Sequence, residues 1–149
     1  MISTMNDKQI DTLLSDQFIG RIGCYDGSKT YVVPVTYVYD GKYIIGHSRP
    51  GKKIDIMRKN PSVCFQVDNI TSMADWESAV IMGTFEELHD KDAREAMETL
   101  ITRLKNTVTS ETAHPKEPVN SQERREAEGF SAIVYRIRIL EKTGRHESH

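Results

Sequence analysis

Residues 30–61 read TYVVPVTYVYDGKYIIGHSRPGKKIDIMRKNP, and this stretch decides the fold. Its first third is β-branched and aromatic, the composition of a half-buried strand. Asp40-Gly41 then interrupts it. An Asp-Gly pair between two such runs signals a hairpin, because tight hairpin turns need the positive φ that glycine adopts freely. KYIIGHS returns as the second strand. From Gly51 the rhythm turns helical, with Ile54, Ile56 and Met57 as the apolar contacts. Asn60-Pro61 ends the helix, since the residue before a proline avoids the helical region. Pro34 has no N–H to give to a ladder, which leaves two readings: an edge strand, or a ladder that opens beside a ligand.

The flanking sequence continues the pattern. NDKQIDTLLSD opens with a cap, Asn6 or Asp7, and carries Ile10, Leu13 and Leu14 at helical spacing. FIGRIGCY is a short strand, and DGSK turns it. SVCFQVD and DWESAVIMGTFEEL are strands, with Gly83 as a candidate bulge. DKDAREAMETLITRLKN is the clearest helix, capped by Asp90 and buried along Ala93, Met97, Leu100, Ile101 and Leu104. Residues 107–128 are polar and proline-containing, a surface excursion. FSAIVYRIRILEKTG is a closing strand, with Ile133, Tyr135, Ile137 and Ile139 on one face, and residues 143–149 read as a tail. The expected fold is mainly β with flanking helices. About six mostly antiparallel strands, linked by hairpins, curl into a small barrel within a single domain over 1–149.

Composition excludes several classes. The 149 residues carry a net charge of −2, so no global basic field exists of the kind that nucleic-acid binders show. No apolar run reaches the ~20 residues of a membrane-spanning helix. MISTMNDKQIDTLL lacks the layout of a signal peptide, so the expected location is cytoplasmic. There Cys24 and Cys64 are buried thiols, and the Asn69–Thr71 sequon goes unused. Neither a GxGxxG nor a GxxxxGK[ST] motif is present. His89, His114, His146 and His149 fall in loops or the tail without ligand spacing, and no metal is expected.

Arg49, Lys52, Lys53, Arg58 and Lys59 nevertheless crowd into one short segment. Arg58 and Lys59 suit the negative C-terminal end of the helix dipole and need no ligand. Lys52 and Lys53 sit at its positive end, where lysine is unfavourable. Either they are solvated surface, or a dianion occupies the helix start and offsets the conflict. Gly51 lets a backbone or a phosphate come close.

Taken in order, VVPVTY, GHSRPGKK, a short helix closed by NPSVCF, and DWESAVIMG resemble the flavin-binding split-barrel family typified by pyridoxamine 5′-phosphate oxidase. Within it they are most similar to the branch that includes the nitroimidazole resistance proteins. The match runs from Gly20 to Leu88, with a closing strand ending in KTGR. The resemblance implies a homodimer of split barrels with FMN at the interface. It implies that Lys52 and Lys53 grip the FMN phosphate and that His47 and Ser48 lie by the ribityl chain and phosphate. Val33, Pro34, Val35 and Thr36 would run along the flavin ring, and Trp76 and Ser78 would approach from the partner subunit. For Trp76, plain packing is the competing role; for His47, a structural histidine or a haem ligand.

True pyridoxamine phosphate oxidases carry an Arg- and Trp-rich C-terminal extension, and Arg and Lys on the second strand; here the chain shows KTGRHESH and valines with threonine instead. Vitamin B6 oxidation is therefore not expected. The expected function is an FMN-dependent oxidoreductase that passes electrons from transiently bound NAD(P)H to a small aromatic acceptor, a nitroaromatic or a quinone. No catalytic side chain is assigned. The alternative is a flavin- or haem-binding module of the same fold without turnover; a ligand-free structural dimer is a third.

Overall fold

A computed structural model describes residues 1–107 and 132–148. Most of the 107–128 excursion lies outside the described residues. The elements are β1 (Ser3–Thr4), α1 (Asp7–Asp16), β2 (Ile19–Tyr25), β3 (Thr30–Thr36), β4 (Val38–Tyr39), β5 (Tyr43–Ser48), α2 (Lys52–Lys59), β6 (Ser62–Ser72), β7 (Asp75–Leu88), α3 (Asp90–Thr107) and β8 (Ile133–Glu147). The strands form one sheet in the order β3-β2-β6-β7-β8-β5-β4, with β1 added to β8. Every pairing is antiparallel.

The two ends of that order, β3 and β4, are separated in sequence by Tyr37 alone. The sheet therefore coils until its ends adjoin, which is the split barrel. Tyr37 pins the corner. Its hydroxyl donates to the Leu14 carbonyl at 2.8 Å, its N–H donates to the Phe18 carbonyl at 2.9 Å, and its ring meets Phe65 edge-on at 4.8 Å. TYVVPVTYVY, expected as one strand, is thus two. With the short β1 this gives eight strands among the described residues, not six.

Helix α1 fills the barrel. Asn6 is its cap: the Asn6 side chain accepts from the Gln9 N–H and the Gln9 side chain accepts from the Asn6 N–H, both at 2.8 Å. Ile10, Leu13 and Leu14 are buried in the main core cluster with Ile22, Phe65, Ile81 and Ile137. Burying each such side chain contributes about 1.5–3 kcal/mol. A second cluster lies where α3 sets Ala93, Met97 and Leu100 against Val38, Ile45 and Val134. Helix α3 opens on the carbonyl of His89, which accepts from the Ala93 N–H at 3.3 Å. Asp90 starts that helix with a left-handed φ of 52° and its side chain makes no capping hydrogen bond among the described residues, so it is not the cap expected of it.

Two further expectations need correction. Residues 143–147 are not a tail: β8 runs to Glu147, paired along β7, and β1 pairs with Arg145 and His146. Gly83 is not the bulged residue. The register passes from Met82↔Glu141 to Gly83↔Ile139, so the extra residue is Leu140 on β8. Gly83 is needed for another reason, since a Cβ there would stand 2.5 Å from the Arg138 carbonyl oxygen and 2.6 Å from Ile137 Cγ2.

Gly83→Ala is expected to destabilise the fold by about 1–3 kcal/mol, because backbone rather than a mobile side chain must give way. An unchanged urea midpoint would refute this. Tyr135 is 1% exposed, and its buried hydroxyl has no hydrogen-bond partner among the described residues. Tyr135→Phe should raise stability by about 1 kcal/mol, since it removes an unpaired polar group and leaves the ring packing intact. A lower midpoint would reveal a partner for that hydroxyl.

Candidate functional site

The short crossing from β5 to α2 builds the first site. His47 and Ser48 are the last residues of β5, paired with Val134 and Ile133, and both are half-buried. The Ser48 hydroxyl donates to the Arg49 carbonyl at 2.8 Å. Gly51 then caps α2 without a side chain, so no side-chain acceptor meets the first-turn N–H groups. Those donors and the helix dipole favour an anion.

The basic cluster divides by task. Arg58 makes a two-pronged ion pair with Glu87 on β7, at 2.7 and 2.9 Å, and this bond holds the Glu87 carboxyl below its ordinary range. Lys52 is exposed, with Nζ 4.9 Å from the centre of the Tyr31 ring. Lys53 is half-buried toward Cys24. Burial pushes its amine below the ordinary lysine value, and the Cys24 thiol works weakly the other way. Among the described residues no carboxylate lies within ion-pair reach of Lys53. A desolvated ammonium without a counter-ion is what a phosphate seat provides, so the residues at this helix start fit the phosphate of a flavin nucleotide. An open cleft of about 540 Å³ fronts the same turn, but Asp26 and Asp55 line it beside Lys52. The Lys29 and Ser28 N–H groups, foremost, keep the Asp26 carboxyl low in pKa and charged. The carboxylates on that wall disfavour a dianion there.

Strand β3 borders this corner. It touches β5, and its Tyr31 carries Lys52. Val33 and Val35 are half-buried, while Pro34 and Thr36 are exposed. Among the described residues β3 bonds only to β2, with Pro34 opposite Arg21, so the proline sits on an edge strand there. β3 thus borders both β5, which ends in His47 and Ser48, and Lys52 at the start of α2. Trp76 and Ser78 are elsewhere, in a cleft of about 590 Å³ between β1, β7 and β8. The two clefts share no lining residue.

That second cleft contains residues that sequence reasoning missed: Thr4, Met5, Thr143 and Arg145. Strand alternation would have put Thr143 and Arg145 on one face, had the end of the chain been read as strand. A polar chain across three strands leads to it. Arg21 pairs with Asp68 at 3.2 Å, Gln66 donates to Asp68 at 2.9 Å, and Gln66 donates to the Ser78 hydroxyl at 3.0 Å. Cys24 and Cys64 are free thiols, the first buried and the second half-buried. Burial raises the Cys24 pKa. No group of three or more metal-ligating side chains occurs among the described residues, and no described helix is long and apolar enough to cross a membrane.

Residues 6–146 match the profile of the pyridoxamine 5′-phosphate oxidase family. The chain belongs to the pyridoxamine 5′-phosphate oxidase family. It is 32% identical over 87 residues to an uncharacterized protein of Rhizobium meliloti (strain 1021), a match that spans 58% of each chain. Among solved structures of this split-barrel fold, a FAD-binding protein from Mesorhizobium loti is similar at TM-score 0.77 and 28% identity, over 100% of this chain and 98% of that one. A Bacteroides thetaiotaomicron protein named for 5-nitroimidazole antibiotic resistance shares the fold at TM-score 0.69 and 19% identity, over 98% and 89%. A FAD and heme binding protein from Mycobacterium smegmatis does so at TM-score 0.74 and 13% identity, over 99% and 74%.

Lys53 has a measurable cost in this member of the pyridoxamine 5′-phosphate oxidase family. Its folded pKa lies below its unfolded one, so between those values the folded state binds fewer protons and ligand-free stability rises with pH. Lys53→Met should raise the urea midpoint of the ligand-free protein at neutral pH, and only modestly, because the amine is part-exposed and solvent screens much of its desolvation cost. It should also flatten the alkaline rise. Identical urea midpoints for the two proteins at neutral pH would contradict this.

Proposed function

We propose that the protein is an FMN-dependent oxidoreductase, a homodimer that passes electrons from a reduced nicotinamide to a small aromatic acceptor such as a nitroaromatic or a quinone. One observation carries the proposal: the half-buried Lys53 ammonium, without a carboxylate partner among the described residues, at a helix start with no side-chain cap. The likeness to a FAD-binding protein from Mesorhizobium loti supports a flavin. FMN is preferred over FAD here because a helix start flanked by lysines suits a terminal phosphate dianion.

Bound FMN supplies hydride and electron transfer at its ring. The chain holds and orients it. Lys53, Lys52 and the open N–H groups of α2 bind the phosphate. His47 and Ser48 flank the chain that joins phosphate to ring. The β3 edge from Val33 to Thr36 offers backbone groups to the ring's polar margin, where Pro34 contributes no competing N–H. Trp76 and Ser78, which line a separate cleft of the protomer, would stand across from the ring on the partner subunit, with room for a planar acceptor between. Solvent supplies protons, and no side chain is required as a general acid.

Freshly purified protein should be yellow, bleach under NADPH without oxygen, and recover its colour when a nitroaromatic is added. Lys52→Ala/Lys53→Ala should weaken FMN by about 1.5–3 kcal/mol for each amine removed, and leave riboflavin, which has no phosphate, unaffected. Protein that takes up no FMN would sink the cofactor assignment. Bound flavin inert to every nicotinamide would sink the oxidoreductase and leave a binding module.

A further inference from the structure

We propose that the cleft between β1, β7 and β8 binds an aromatic carboxylate, its ring against Trp76 and its anionic group on Arg145. The cleft's volume of about 590 Å³ falls within the range of small-molecule sites. Its lining combines an indole, the apolar Met5, the hydroxyls of Thr4, Ser78 and Thr143, and one guanidinium.

The charges single out Arg145. Of the cations lining the cleft, Lys142 is engaged by Asp11 at 2.9 Å. Glu147, two positions from Arg145 on β8, pairs with the N-terminal amine at 3.6 Å. Arg145 is exposed, and its guanidinium has neither an ion pair nor a side-chain hydrogen bond among the described residues. Its place is nonetheless held firmly, since β8 pairs it with Ser78 on one side and Thr4 on the other. A planar guanidinium takes a carboxylate through two parallel N–H donors, a match that a neutral ring cannot make. Ser78 is also oriented. Its oxygen already accepts from Gln66, which Asp68 and Arg21 fix in turn, so the Ser78 hydroxyl hydrogen is free to donate to a ligand. A ring against Trp76, an anion on Arg145 and a donor at Ser78 define a small anionic arene rather than a phosphate alone or an uncharged aromatic.

The acceptor role of such a ligand rests on the oxidoreductase reading, whereas its binding does not. Trp76 is the only tryptophan, so its emission reports occupancy directly. The probes are 4-nitrobenzoate and nitrobenzene, titrated into ligand-free protein by tryptophan fluorescence and into FMN-saturated protein by calorimetry. 4-Nitrobenzoate should quench Trp76 and bind both forms. Arg145→Gln should weaken it by about tenfold or more and leave nitrobenzene unchanged. Trp76→Phe should weaken both probes, which separates a stacking loss from a charge loss. Circular dichroism confirms that each variant folds. Equal affinity of wild type and Arg145→Gln for 4-nitrobenzoate would overturn the proposal, as would FMN displacing it competitively, which would make the cleft part of the flavin seat. If FMN fails to bind while 4-nitrobenzoate does, the flavin reading falls and the cleft stands.

Discussion

Tyr37 holds the barrel shut. The strand order begins at β3 and ends at β4, and these are consecutive in sequence, so one buried residue must carry the chain from one edge of the sheet to the other. An unpaired backbone or phenol group there would carry the penalty of burial without a partner. Tyr37 avoids it by donating through its hydroxyl to Leu14 in the last turn of α1 and through its N–H to Phe18 just beyond that helix. Burial accordingly raises its pKa far above the ordinary phenol range. The helix that fills the barrel and the corner that closes it are thus tied by the same two bonds. Everything that positions the candidate site follows, because closure brings β3 beside β5 and the start of α2.

Electrostatics then sorts the surface left outside the core. Arg58, Arg136 and Arg138 find carboxylates on β7. Lys142 crosses to Asp11 on α1. These pairs fasten helices and strands to one another while contributing modestly to stability, since most are part-exposed. Lys53 and Arg145 are among the cations that this arrangement leaves without a carboxylate among the described residues. Both stand where secondary structure holds them in place, one at a helix start and one in a paired strand. Each marks a place where charge is kept available instead of being neutralised within the chain.

The outward face of the sheet has the same character. Val32, Val80 and Met82 are exposed there, beside the Arg21–Asp68–Gln66–Ser78 chain of polar contacts. A face with apolar residues around an internally satisfied polar chain can be covered without stranding a charge. That property would suit a second copy of the chain in the proposed homodimer.

Local chemistry was legible in the amino-acid order alone. The α1 cap at Asn6 or Asp7, the Asp40-Gly41 turn, the α2 helix stopped by Asn60-Pro61, and the buried stripe of α3 all depend on neighbours within a few residues. So did the conflict of Lys52 and Lys53 with the helix dipole, which pointed to the first site. The break at Tyr37, the two-residue β1, the bulge at Leu140, the strand that runs on to Glu147 and the cleft around Arg145 were not legible. Each depends on which distant strand lies alongside, and alternation of side chains says which face a residue takes but not which partner it meets. Sequence by itself determined the helices and most of the strands, and it raised the start of α2 as a candidate anion seat. Tertiary structure decided the closure, and with it which cations remained without a partner, because ion pairing is settled by distances across strands far apart in the chain.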